Sequence, residues 1–260
     1  MVDYVLARKS RNIMSHMVHV LLNLLLGVGA VLITVLSGSP VLGIILVCAS
    51  KWRVFAVRAR YLWLNVKSNL VDFIVGLSVV LLAYYAGSNF LPVDFILMAF
   101  YSAWLLLIKP LSSERAAMAQ SLIAVLFGIS AATIMSANWD PIVIVLLAFL
   151  IGYAAARHVL VQSDDKDFTL TTLICGLVFA EMAWLSSAWS IIYTFGSTGI
   201  RIPQLAIVLA IFAFVYNSAR TAMIKYQEDF RLKHIAGPAI FGAIMISIIV
   251  LFFSNPIFNI

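Results

Sequence analysis

Nine apolar stretches divide the chain, at 17–36, 41–57, 69–87, 93–109, 117–136, 141–159, 168–194, 202–219 and 236–254. Most match the about 17–25 residues that carry an α-helix across a hydrocarbon core about 30 Å thick. None alternates with the period of two that marks a barrel strand. Lipid offers no partner to a bare N–H or C=O, so each crossing must close its own hydrogen bonds. An all-α, polytopic transmembrane bundle of about nine spans follows, with 1–260 as a single transmembrane domain. Composition agrees, since 63% of residues are hydrophobic and only 11% are charged. A soluble chain carries about 25% charged residues to face water.

The basic residues orient the bundle. With the N-terminal segment 1–16 in the cytoplasm, sixteen of the 17 Lys and Arg fall inside and only Arg201 falls outside. Reversal would invert that ratio, so the N-terminus is expected inside and the C-terminal segment outside. The net charge of +6 therefore marks a membrane face, not a nucleic-acid partner. The first apolar core is about 20 residues long, beyond the about 7–15 of a signal h-region, so it is read as a retained span. Ser37–Pro40 reads as the tight turn of a helical hairpin.

The second stretch is the weakest. Only Val41–Ser50 is free of charge, a length that also suits a re-entrant segment. It gains length if Lys51 and Arg53 snorkel to the inner headgroups. The following stretch, 51–68, interleaves Trp52, Phe55, Tyr61 and Trp63 with basic residues. That mixture suits a basic interfacial elbow on anionic lipid, with Lys51, Arg53, Arg58, Arg60 and Lys67 as headgroup ligands.

Glu181 is the outstanding single residue, near the middle of 168–194. A charge at mid-bilayer costs at least about 2.5 kcal/mol, so its carboxyl is expected to face the bundle interior. There it is either the proton or cation site of a transporter, or a carboxyl that donates a hydrogen bond to the next helix. His16, His19, His158 and His234 share the cytoplasmic boundary, and Asp164, Asp165 and Asp167 form an acidic loop. Neither set has a metal-binding spacing of its own, and no metal or cofactor is expected. Cys48 and Cys175 lie inside apolar runs and read as small buried hydrophobes. Small residues recur at helical spacing in Gly176, Ala180 and Ala183, in Ala124, Gly128 and Ala132, and in Ala239 and Ala243, marking close helix contacts. Phosphate-cradling, nucleophile-elbow and zincin motifs are all missing from the sequence.

The segment Ala180-Glu-Met-Ala-Trp-Leu-Ser-Ser187 carries a glutamate and, three residues on, a tryptophan. With Tyr216, Glu181 and Trp184 resemble a feature of uncharacterised multi-span proteins of candidate-phyla bacteria, a domain-of-unknown-function family. The resemblance covers the last third of the chain. The proline that follows the tryptophan there stands only at Pro203 here. It implies a membrane protein and supplies no activity or site residues; the expected localisation is that of a multi-pass protein of a bacterial inner membrane.

Three functions remain open at this point. The leading one is a non-enzymatic subunit or scaffold of a membrane assembly, bound to membrane-protein partners or to copies of itself. The second is a small proton- or cation-coupled transporter or channel using Glu181. The third is an intramembrane enzyme acting on a lipid-linked substrate at the cytoplasmic face, with Asp72, Asp164, Asp165 and the histidines as its candidates.

Overall fold

A computed structural model describes residues 2–87, 89–137, 139–161, 168–188, 191–226, 229 and 231–253, with side chains from Met14 onward. The chain is a bundle of helices. In order, they are α1 (Val2–Ser37), α2 (Pro40–Ser50), α3 (Trp52–Phe55), α4 (Ala59–Ser68), α5 (Leu70–Ala86) and α6 (Pro92–Ala103). Helix α6 widens into a π-helical turn (Trp104–Ile108). Then come α7 (Glu114–Ser136), α8 (Pro141–Leu160), α9 (Phe168–Ser186), α10 (Gln204–Tyr226) and α11 (Lys233–Phe252). Between α9 and α10 a short antiparallel hairpin pairs β1 (Ile192–Thr194) with β2 (Arg201–Pro203).

Six helices are long and apolar enough to cross a membrane: α1 from Met14, and α7 to α11. Helix α5 passes only together with α4, from which it is bent by 64°. Helix α2 and the α6–π segment are shorter. The 11 residues of α2 rise only about 16 Å. The bend separates a mixed, largely exposed helix from a buried one. Helix α4 exposes Tyr61, Leu62, Trp63 and Leu64, whereas α5 buries Val71, Val75, Val79 and Val80. The Asn65 amide donates to the Val54 carbonyl at 3.0 Å and pins α4 beside α3. The elbow expected at 51–68 is therefore two short helices.

Helix starts follow from local chemistry. Ser39, Ser113 and Asp140 each accept a backbone N–H of the turn they cap. Pro40, Pro92 and Pro141 open α2, α6 and α8, where a missing N–H costs nothing.

Two apolar cores share α7. One holds α1, α2, α5 and α6, through residues such as Val31, Val47, Val79 and Leu97. The other holds α8, α9 and α10, through Ile151, Phe179 and Leu209. Gly128 of α7 sits between them. A Cβ there would meet Ile74 at 2.8 Å and Ile151 at 3.2 Å. Gly176 similarly lets α9 lie against the Phe149 carbonyl and ring. These agree with the small-residue spacing. In α11 the close contact falls elsewhere: Ala243 is exposed, and Gly242 takes Val215 of α10.

The seventh apolar stretch does not run as one helix. Helix α9 ends at Ser186, and Ile192–Thr194 of the same stretch form the first strand of the hairpin. Apolar content alone does not distinguish a helix end from a β-strand lying on the bundle.

Candidate functional site

An ionic cluster lies inside the bundle where α2, α5 and the π-turn meet. Asp72 is the third residue of α5, where the helix N-terminus favours a negative charge. Its Oδ1 accepts the Trp104 indole N–H at 3.0 Å. Its Oδ2 pairs with the Lys51 ammonium and, at 2.7 Å, with that of Lys109. Lys51 also donates to the Asp72 carbonyl at 3.2 Å and lies 5.3 Å from the Phe73 ring centre. The Lys51 side chain is 5% exposed and that of Lys109 43%. Two lysines face one carboxylate, so the cluster carries one excess positive charge, on the side of the accessible Lys109.

The π-turn places two of the three partners. The Lys109 N–H bonds the Trp104 carbonyl five residues back. That wider turn brings both side chains to Asp72, and such turns often mark functional positions. At the end of this turn and just past it the chain is held by Gln120 of α7, whose amide donates to the carbonyls of Ile108 at 2.7 Å and Leu111 at 3.0 Å. Its carbonyl oxygen then accepts from His158 Nε2 at 2.6 Å, which assigns the ring proton to Nε2.

The elbow cations divide. Lys51, expected to snorkel outwards, turns inwards, where the Asp72 carboxylate and the Asp72 carbonyl both take its ammonium and compensate its lost hydration. Arg53, Arg58 and Arg60 are exposed. Arg60 lies 4.5 Å from the Tyr61 ring centre, and Lys67 lies 5.0 Å from that of Trp63. Lys67 also lines a cavity of about 150 Å³ with Ser68, Arg157 and His158.

Glu181 does not face the interior. It is exposed on the lateral surface of α9, beside Trp184, which is 63% exposed. The end of α9 at Ser186 also moves it from mid-span to about 8 Å from the helix terminus. Its open face is otherwise apolar, formed by Leu170, Ile174 and Leu177.

The histidines are dispersed. His158 is bound to Gln120, His234 stacks on Tyr226, and His16 and His19 lie exposed on α1. Among the described residues no group of three or more His, Cys, Asp or Glu could hold a metal ion. The acidic loop with Asp164, Asp165 and Asp167 lies outside the described residues, as does 254–260.

Sequence reasoning noted Asp72 as a candidate of the intramembrane-enzyme reading, grouped with Asp164, Asp165 and the histidines. What it missed was the pairing, because 21 residues separate Asp72 from Lys51 and 37 separate it from Lys109.

Two further cavities lie towards the other end. One of about 220 Å³ sits between α5, α6, α7 and the hairpin. One of about 110 Å³ sits between α9, α10 and α11, near Met182 and Gln204. No family model, curated protein or solved structure matches this chain.

Proposed function

We propose that the protein is a non-enzymatic subunit of a larger membrane assembly. In this reading it is a multi-pass protein of a bacterial inner membrane. Nine helices cross, α2 and the α6–π segment among them, with the N-terminus cytoplasmic and the C-terminus outside. The elbow cations Arg53, Arg58, Arg60 and Lys67 rest on anionic headgroups.

The observation that carries this reading is Glu181 on an open, apolar helix face. A carboxyl in a span is almost always turned to protein or water. A second chain covering α9 satisfies that demand, and interhelical polar contacts act as glue in lipid. Helix α1 presents a similar stripe. His16, His19 and Asn23 share one face, with the Asn23 amide 3.1 Å from His19 Nε2.

Light scattering of the protein purified in mild detergent tests this. The particle is expected to exceed the 28.6 kDa chain, or to hold a second membrane protein. Glu181→Leu is expected to release the partner and Glu181→Gln to retain it. A wild-type monomer with nothing bound overturns the reading.

A second reading, a small proton- or cation-coupled transporter, draws support from the ionic cluster. Protonation of Asp72 would free two lysines and unlock three elements at once. Asp72 is the better coupling group in that case, because it is buried and ion-paired between three elements, whereas Glu181 is exposed on the outer face of α9. The enzyme reading has less support, since Asp72 is committed to ion pairs and His158 to Gln120.

A further inference from the structure

Among the described residues, Arg201 stands at the end of the bundle opposite Lys67, Lys109, Arg115 and Arg157, and the charge asymmetry of the sequence makes it the expected exception. The positive-inside bias acts against such a residue, so topology does not explain it. Its position in the fold does. Arg201 opens β2, is exposed, and stands on the rim of the 220 Å³ cavity. The walls of that cavity are apolar: Leu82 of α5, Ile96 of α6, and Leu126 and Phe127 of α7. Helices α5 and α6 contribute the ends away from Lys67 and Lys109.

The hairpin is built to cap this space. Gly199 has a φ of +79°, which favours glycine, and lies against the start of α6. A Cβ there would come within 2.8 Å of Leu91 and 2.9 Å of Val93. The close seat carries Arg201 to the rim. Three carboxylates lie towards the same end. Asp94 accepts the Leu91 N–H at 2.9 Å, Asp140 caps α8, and Glu181 lies on the open face of α9. None of them forms an ion pair with Arg201 among the described residues.

We infer that this cavity holds a segment of one acyl chain of an anionic lipid, whose headgroup is bound by Arg201. The volume falls below the about 300–1,000 Å³ of sites that enclose a whole drug-sized ligand. A partner helix, about 10 Å across, does not fit. A chain segment does, with the rest of the lipid in the bilayer. The rim cation selects a negative headgroup, and a site of this kind owes nothing to partner binding at Glu181.

The test is photo-cross-linking in nanodiscs, using phosphatidylglycerol with a diazirine on its acyl chain and mapping adducts by peptide mass spectrometry. Adducts are expected on the cavity walls at Leu82, Ile96 and Phe127. Unlabelled phosphatidylglycerol should compete, and phosphatidylcholine should not. Arg201→Gln should cut these adducts about fivefold, the worth of one cation near the surface, and Arg201→Lys should keep them. Ala86→Phe, which fills the cavity, should remove them. Thermal melts confirm that each variant is folded. Adducts spread evenly over the lipid-facing helices overturn the proposal. So do cavity adducts that folded Arg201→Gln or Ala86→Phe leaves unchanged.

Discussion

At the scale of single residues, Asp72 has the most at stake. It satisfies two ammonium groups and an indole in a place where water is scarce. Asp72→Asn leaves Lys51 charged and without its counter-ion. Removing one partner of a buried pair costs about 3–5 kcal/mol, and a fall in unfolding free energy of that size is expected in detergent. Lys51→Met added to Asp72→Asn should recover part of the loss, because no buried charge is then left without its partner. The same double variant judges the transporter reading. Unchanged proton or cation flux into proteoliposomes from the folded double variant removes it. The cluster was half legible beforehand: Asp72, Lys51 and Lys109 each stand at a helix boundary in the sequence. The approach of Lys109 and Trp104 to Asp72 depends on a π-turn that nothing in Trp104–Ile108 announces.

At the scale of elements, helix contacts rest on missing side chains. Gly152 of α8 lies under Phe179 of α9, where a Cβ would come within 2.5 Å of the ring. Phe179 is fully buried and has nowhere to retreat. Gly152→Ala should cost about 1–3 kcal/mol by overpacking, read as a lower melting temperature. The exposed glycine Gly237, whose Cβ would meet nothing within 4 Å, is the control, and Gly237→Ala should leave the melt unchanged. Small-residue spacing located Gly128 and Gly176 correctly. It misjudged α11, where Gly242 rather than Ala243 meets its neighbour. Spacing defines a face, and only the crossing point defines which residue on that face is pressed.

At the scale of the whole molecule, cations collect at one end of the helices, where Lys67, Lys109, Arg115 and Arg157 sit. Arg201 and the hairpin stand at the other. Nine crossings require that these ends lie on opposite sides of the membrane. In a background with Cys48 and Cys175 replaced by Ala, Thr198→Cys should react with an impermeant maleimide from outside intact cells. Arg60→Cys should react only after permeabilisation. Equal labelling of both from one side would remove the nine-span topology.

The sequence alone determined that this chain is a bundle of helices apolar enough for a membrane, because hydrocarbon admits only helices and closed barrels and no stretch alternates with a strand's period of two. It also located the turn at Ser37–Pro40, because proline and a capping serine act within one turn of the helix they open. Tertiary structure decided the rest. It sent Lys51 inwards, turned Glu181 outwards, ended α9 early and set Arg201 over a cavity. Each of these depends on which residues meet across long sequence separations, and hydropathy averages that information away.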